Sequence, residues 1–364
     1  MSATALTLSS RQDIPDDDLI AIAQLADRLG YHTFFTGESW GRDAFTILTM
    51  IACHTQSLRV GTGIVPVFSR SPALIAQTIA SLDQISKGRA TLGLGSSGRL
   101  LIEQWHGQSF EKPVARTREY IEIIRKALAG QPLNHEGQFF RLGRFRLGSL
   151  PLQENIPIYL ASLGPRNLEL TGQLCDGWLP IWLPHQRLPE LKAEIGEAAS
   201  RSGRDISQIT VAPQIICHVA ADSDELEETK QQVRAHMAYY IGGMGQYYYN
   251  LFCRSGFQDE AGAVREAWTA GDRPKATAAV SEDMLENITV IGDAESCRAK
   301  LDRFRSSGAD MPVVAFPHGA STAAIQRTLE ALAPSTLRSA SSPIPTPPAP
   351  AKTSLLKFCK PLRV

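Results

Sequence analysis

Glu38 lies in the run Gly37-Glu-Ser-Trp-Gly-Arg-Asp43, directly after the apolar stretch His32–Thr36. A partly desolvated carboxylate there could have its pKa raised into the range useful for general acid–base work. The same residue could instead be taken up in an ion pair with Arg42 or Arg70. Trp40 can stack on a flat ring or simply pack at a rim. His106, in Trp105-His-Gly107, and His318, in Phe316-Pro-His-Gly319, have proton-carrying chemistry, although a lone histidine more often serves structure. Asp43 reads as the N-cap of the following helix.

Two glycine–serine turns carry a different chemistry. Ser162-Leu163-Gly164-Pro165-Arg166 joins a close-approach glycine to a helix-initiating proline, and the N–H groups of such a helix start can hold a phosphate. Gly95-Ser96-Ser97-Gly98 offers hydroxyls and backbone amides to a phosphate or a polar ring edge. Either turn alone is more often just a turn; two in one chain carry more weight. Neither matches a P-loop, and Gly93-Leu-Gly-Ser-Ser-Gly98 lacks the acidic residue of a dinucleotide fingerprint.

Short β-branched runs alternate with helical periods and would position these groups. Strands are predicted at Ala5–Leu8, His32–Thr36, Leu58–Val65, Arg89–Gly95, Pro157–Ala161, Gly177–Ile181, Ile209–His218 and Met311–Phe316. Between them the 3.6-residue period predicts helices at 16–29, 44–53, 73–85, 117–128, 165–174, 188–200, 223–240, 293–307 and 321–333. Asn134–Leu147 has hairpin character, and Gly242–Glu286 reads as an insertion rich in Gly, Tyr and Ala. Parallel strands need crossovers of a dozen or more residues, usually helices. Eight such units imply an α/β fold, a (β/α)8 barrel, whose site gathers at the C-terminal ends of the strands.

The 364 residues are 43% hydrophobic and 20% charged, with 37 basic and 37 acidic side chains. Zero net charge gives no reason to expect nucleic acid or an anionic membrane as partner. No apolar run reaches the ~18 residues of a spanning helix, and no secretory signal is read at the N-terminus. Six scattered cysteines without a CxxC pair suit a reducing cytoplasm and argue against a zinc site, so no metal is expected. One domain is expected over 1–333, with its insertion at about 242–286. From 334 to 364 a proline-rich tail is expected to be disordered. It holds five basic residues and no acidic one, so the body is about five charges negative.

These motifs together resemble the luciferase-like monooxygenase superfamily of TIM-barrel flavin and deazaflavin enzymes, most of all its coenzyme F420 branch. The carrying segments are Thr36–Phe45, Gly61–Leu74, Leu92–Gly98, Trp105–Gly107 with Ala115–Tyr120, and Ile158–Arg166 with Asp176-Gly-Trp178. They run in family order over roughly residues 3–333. The resemblance implies a ring held in the barrel mouth against a bulge after the third strand, around Gly63-Ile64-Val65, often with a non-prolyl cis peptide. It implies that Ser96–Gly98 and Ser162–Pro165 take the ribityl-phosphate side. It also sets Glu38 and Trp40 where relatives contact the reacting ring and substrate, with Glu38 as proton donor and His106 as a further catalytic candidate. The expected activity is hydride transfer between F420 and a small organic substrate, and Arg70, Arg99 and Arg166 suit a polyanionic coenzyme tail. An FMN-dependent monooxygenase and a non-catalytic flavin-binding barrel are the alternatives. A homodimer is compatible with the resemblance.

Overall fold

A computed structural model describes residues 3–8 and 14–334; the proline-rich tail lies outside the described residues. The first half of the chain alternates strand and helix. It runs β1 (Ala5–Thr7), α1 (Asp16–Arg28), β2 (Thr33–Thr36), α2 (Ala44–His54), β3 (Arg59–Thr62), β4 (Val65–Pro66), α3 (Pro72–Ile85), β5 (Ala90–Gly95) and α4 (Pro113–Leu128). Local chemistry sets several starts. Asp43 accepts from Thr46 N–H to cap α2, and Ser71 accepts from Leu74 N–H to cap α3, ahead of Pro72 in the first turn. A small antiparallel hairpin of β6 (His135–Glu136) and β7 (Arg141–Leu142) follows α4. It is tied down by buried Glu119, which accepts from Phe139 N–H, Phe140 N–H and His135 Nε2.

The second half runs β8 (Ile158–Leu160), α5 (Pro165–Leu174), β9 (Gly177–Trp178), α6 (Leu188–Arg201), β10 (Thr210–Val211), β11 (Gln214–Val219) and α7 (Ser223–Gly243). After the helical insertion described below come β12 (Val290–Gly292), α12 (Ala294–Ser306), β13 (Val313–Ala315) and α13 (Thr322–Ala331). The strands pair in parallel in the order β9-β8-β5-β3-β2-β1-β13-β11. β10 and β11 are one strand interrupted at Pro213, which has no N–H for the ladder. β10 pairs with β9, Ile181 bridges Gln214, and Gln214 pairs with Val313 of β13, so this strand closes the ring. The result is the eight-stranded barrel that the alternation predicts, with each predicted strand in place.

Packing follows the period-2 rule. One face of the strands joins the apolar helix stripes in a large shell that includes Phe34, Val60, Leu92, Ile158 and Val314. The opposite face fills the barrel with a smaller cluster of Ala5, Phe35, Tyr159, Leu179, Ala212, Met311 and Val313. Phe35 and Tyr159 meet there with ring centroids 6.2 Å apart.

The insertion predicted at about 242–286, rich in Gly, Tyr and Ala, is helical. It forms α8 (Gln246–Arg254), α9 (Gln258–Thr269), α10 (Arg273–Ala278) and α11 (Glu282–Ile288). Asp272 caps α10 and Ser281 caps α11, whereas α8 follows Gly245 at φ +84° with no side-chain cap. Among the described residues no helix is long and apolar enough to cross a membrane.

Candidate active site

The C-terminal ends of the strands meet at one mouth. Solvent reaches Gly37, Gly63, Ile64, Ala161, Ile181 and Ala315, all half-buried at or just past the ends of strands that are otherwise buried. A hydrogen-bond chain ties the near rim together: Gly63 N–H donates to Thr36 O at 2.7 Å, and Glu38 N–H to Ile64 O at 2.9 Å. Val67 N–H donates to Gly95 O at 3.0 Å, and Ala161 N–H to Leu94 O at 2.9 Å. The ends of β2, β3, β5 and β8 therefore present Glu38, Gly63-Ile64, the Ser96–Gly98 turn and the Ser162–Pro165 turn on the same end of the barrel.

The bulge after β3 contains a cis peptide between Gly63 and Ile64, within the segment that the resemblance indicates. Neighbouring glycines make room for it. A Cβ on Gly37 would lie 2.7 Å from Gly63 O and 2.8 Å from Ile64 N, and one on Gly93 would lie 1.9 Å from Thr62 O. Glycine at these two positions lets the backbone of β3 sit between its neighbours. Val65 departs from expectation: it is fully buried in the outer core, because the residue after Ile64 faces the opposite side of the strand. Gly63 and Ile64 alone of that trio face the mouth.

Glu38 is engaged on both oxygens. Arg70 holds it in a bidentate pair, Nη1 to Oε2 at 2.6 Å and Nη2 to Oε1 at 2.7 Å, and Ala44 N–H donates to Oε1 at 2.9 Å. Arg70 also contacts Asp43, lies 5.3 Å from the Phe45 ring centroid, and accepts the Tyr120 hydroxyl at its carbonyl. The hydrogen bonds that Arg70 donates to Glu38 lead the causes that raise its pKa. Burial would raise the Asp43 carboxyl, but the Thr46 donors and Arg70 outweigh it and hold it below its usual range. Of the two roles open to Glu38 in the sequence, the geometry favours the ion pair. Its carboxylate braces the 37–43 loop, so the expectation of a proton donor gives way to a positioning role.

Ser162 is also redirected. It is 2% exposed, its hydroxyl is paired with Thr171 Oγ1 at 2.8 Å, and its carbonyl accepts Trp178 Nε1 at 2.8 Å. The side chain locks the turn to α5 and offers nothing to a ligand. What faces outward is the half-buried Leu163-Gly164 backbone and the exposed Pro165 at the start of α5. That helix has no side-chain cap, and a Cβ on Gly164 would meet nothing within 4 Å. Asn167 Oδ1, in the first turn of α5, is buried without a partner. Ser96, Ser97 and Gly98 are half-buried, with Ser97 at φ +60°.

Trp40 stands at the rim, 60% exposed. His106 follows a π-helical turn, Leu101–Trp105, and is half-buried with Nε2 unpartnered. Such turns recur at functional sites. Arg99 is exposed and pairs with Glu103, and Arg166 is exposed.

The far rim has a feature that no local motif announces. Trp182 after β9, His318 after β13, and His236 and Tyr240 of α7 form a ring cluster. Trp182 lies 5.1 Å from His236 and 5.3 Å from Tyr240, and His236 lies 4.5 Å from His318, all centroid to centroid. Tyr248 of α8 stands perpendicular to Tyr240 at 4.6 Å. Burial, reinforced by His318, pushes the His236 imidazole down to about 4, so it is neutral at physiological pH. Past its end, α7 reaches the opposite side: a Cβ on Gly98 would lie 3.9 Å from Met244 Cε. The end of α7 thus lies against the Ser96–Gly98 turn, and the mouth has one half of small residues and backbone amides and another of aromatic rings.

Among the described residues no cluster of three His, Cys, Asp or Glu could hold a metal ion. The small-residue half fits a flat ring with an anionic chain: glycine and serine leave space at the rim, and the α5 start has no side-chain cap, with Arg166 as its first N–H after Pro165. Gln214, inward-facing by its period with Ala212, adds a carboxamide at the floor.

Comparison with known proteins agrees with this geometry. The family model for luciferase-like monooxygenases matches residues 3–311. A Mycobacterium tuberculosis protein named as a coenzyme F420-dependent oxidoreductase is 31% identical over 320 residues, covering 82% of this chain and 91% of its own length. The solved coenzyme F420-dependent tetrahydromethanopterin reductase of Methanopyrus kandleri superposes with a TM-score of 0.78 at 23% identity, covering 90% of this chain and 97% of that one. A type II Baeyer–Villiger monooxygenase of Pseudomonas putida, solved with FMN, superposes at 0.69 with 18% identity, covering 92% and 97%.

Proposed function

This chain belongs to the luciferase-like monooxygenase family, and from that premise we propose that it is an F420-dependent oxidoreductase acting on a small organic substrate. The observation that carries the reading is the small-residue half of the mouth, where the Gly63-Ile64 bulge, the Ser96–Gly98 turn and the uncapped start of α5 line one wall. When bound, the deazaflavin supplies a carbon centre that gives or takes a hydride.

The chain's own residues then do the following. The bulge backbone at Gly63-Ile64 would support the ring. Ser96, Ser97, Gly98 and the N–H groups of Leu163, Gly164 and Arg166 would donate to the phosphate side, aided by the positive end of α5. Arg70 is committed to Glu38 and Asp43, and Arg99 pairs with Glu103, so the exposed Arg166 is the cation that best suits a polyanionic tail. Glu38 fixes the 37–43 loop, and through its N–H bond to Ile64 O it fixes the bulge as well. α7 and Met244 cover the mouth and limit water above the reacting atoms.

Titration of the purified apoprotein with F420 and with FMN tests the reading. Saturable F420 binding with FMN at least tenfold weaker is the expected result. Tight FMN binding with oxygen uptake on reduction would overturn it in favour of a flavin monooxygenase. Binding of either coenzyme without turnover of any carbonyl or alcohol in a panel would identify a non-catalytic barrel.

A further inference from the structure

The end of the barrel opposite the mouth carries a surface that coenzyme chemistry does not use. The segment 141–153 leads from β7 toward β8 across the ends of α3 and α4. Its backbone is held in place: Leu133 N–H donates to Phe145 O at 2.8 Å, and Gln84 Nε2 to Leu150 O at 2.6 Å. Leu152 and Gln153 N–H donate to Asp83 Oδ2 at 2.7 and 2.9 Å. The Gln153 side chain also bonds Ala90 O and Arg59, at the starts of β5 and β3, which sets the segment at the N-terminal end of the strands. Arg144 takes a left-handed φ of +71°, uncommon for a non-glycine residue. This fixed loop holds Phe145 in solvent at 78% exposure, more than any other large apolar side chain among the described residues.

Exposed Leu150 and Leu152, with Ile85 at the end of α3, extend the apolar area. Cations surround it. Arg141, Arg144, Arg146 and Lys87 are all exposed, and none forms an ion pair among the described residues. Elsewhere Arg42, Arg99 and Arg187 do pair, with Asp16, Glu103 and Glu190. Lys87 belongs to the patch because a Cβ on the next residue, Gly88, would lie 4.0 Å from Leu152 Cβ. From Arg141 to Gln153 there is no acidic residue; Glu136 and Glu154 flank the segment, and buried Asp83 is taken up by the loop's own amides.

A second segment has the same chemistry. The described chain ends after α13, at this same end of the barrel: the hydroxyl of Tyr31, which precedes β2, donates to Leu329 O. The sequence then closes with Leu355-Leu-Lys-Phe-Cys-Lys-Pro-Leu-Arg-Val364, again apolar and basic with no acidic residue. The zero net charge of the whole chain conceals both segments. An acidic peptide would neutralise the arginines but leave Phe145 and the leucines in water. A bilayer interface takes both, since aromatic rings settle at headgroup depth and anionic headgroups attract the guanidinium groups. One such signal binds marginally, and two bind firmly.

We propose that the 141–153 loop and the C-terminal basic-apolar segment dock this protein on an anionic lipid bilayer, leaving the mouth at the opposite end of the barrel open to solvent. Co-sedimentation of the full chain with vesicles tests this without any coenzyme. Phosphatidylcholine vesicles containing phosphatidylglycerol are expected to bind at least about tenfold more tightly than pure phosphatidylcholine at low salt, with the difference lost near ~0.5 M salt. Arg144→Gln combined with Arg146→Gln should weaken binding to the anionic vesicles about tenfold or more. Phe145→Ser, and separately Lys357→Gln with Phe358→Ser, should each weaken it severalfold. F420 affinity of every variant should match the parent, which separates this surface from the coenzyme site. Equal binding to both vesicle types, binding to neither, or binding that the loop or the tail substitutions leave unchanged overturns the proposal. Retention on poly-glutamate in place of vesicles overturns it in favour of an acidic peptide partner.

Discussion

Gly37→Ala and Gly164→Ala make a paired perturbation that separates architecture from ligand contact. At Gly37 the new methyl carbon would sit 2.7 Å from Gly63 O, against an ordinary contact distance of 3.4 Å or more. Something must move by about 0.7 Å, and the obstructing atoms are backbone, fixed by the 2.7 Å bond from Gly63 N–H to Thr36 O. Overpacking of this kind costs about 1–3 kcal/mol, offset by up to ~1 kcal/mol from the stiffer unfolded chain. At about 2–4 °C per kcal/mol for a domain of this class, the melting temperature should fall by about 3–6 °C. Coenzyme affinity should fall with it, because the displaced atoms belong to the wall under the ring. At Gly164 the new methyl meets nothing within 4 Å, so the melt should stay within ~1 °C. Only coenzyme affinity should drop, by crowding the phosphate side. Calorimetric melts and F420 titrations on both variants read all four quantities. A Gly37→Ala protein that melts like the parent, or a Gly164→Ala protein with undiminished F420 affinity, would refute the reasoning.

Arg70→Ala removes the partner of the largely buried Glu38 and of the half-exposed Asp43, whose pair is partly screened by solvent. A loss of about 2–3 kcal/mol in chemical denaturation is expected, at the low end of the range for a broken buried pair. Glu119 has a carboxyl held low in the fold: burial works against this, but the Phe139 and Phe140 amides and His135 outweigh it. Its contribution is therefore fully present above the unfolded value near 4.5 and lost as pH falls through the folded value. Hydrogen-exchange protection at Phe139 and Phe140 should fade in acid, and Glu119→Gln should remove that pH dependence. For His236 the sign is that of a buried neutral imidazole. Stability is intact above the unfolded value of 6.5 and is lost on acidification toward about 4, on the order of 3 kcal/mol over that window. Denaturation of His236→Leu at pH 7 and pH 4.5 should show a smaller drop than the parent; an equal drop would count against the buried neutral state.

The barrel was legible because its strands are short, apolar and punctuated by glycine, and its helices begin with Asp43, Ser71 and Pro165. What eluded the sequence was side-chain direction within the turns. Val65 and Ser162 lie in the expected segments, but one residue of pleat sends Val65 outward, and a hydroxyl partner six positions into α5 claims Ser162. Glu38 had two plausible fates, and only the approach of Arg70 from 32 residues away separates them. The helices at 246–288 are short, and α8 begins without a side-chain cap, so their periodicity is weak. The ring cluster draws Trp182, His236 and His318 from three distant segments, and no local pattern joins them. The tripled tyrosines near 247 were the one visible sign that aromatic side chains gather there.

The two walls of the mouth are inherited from different parts of the chain. The glycine-lined wall is woven into the barrel itself, where Gly37 and Gly93 are hemmed in by the backbone of an adjacent strand. Most of the ring-lined wall hangs on α7 and α8, outside the closed ladder. Substitutions within residues 223–288 are therefore expected to reshape the ring-lined wall while leaving the glycine-lined wall as it is.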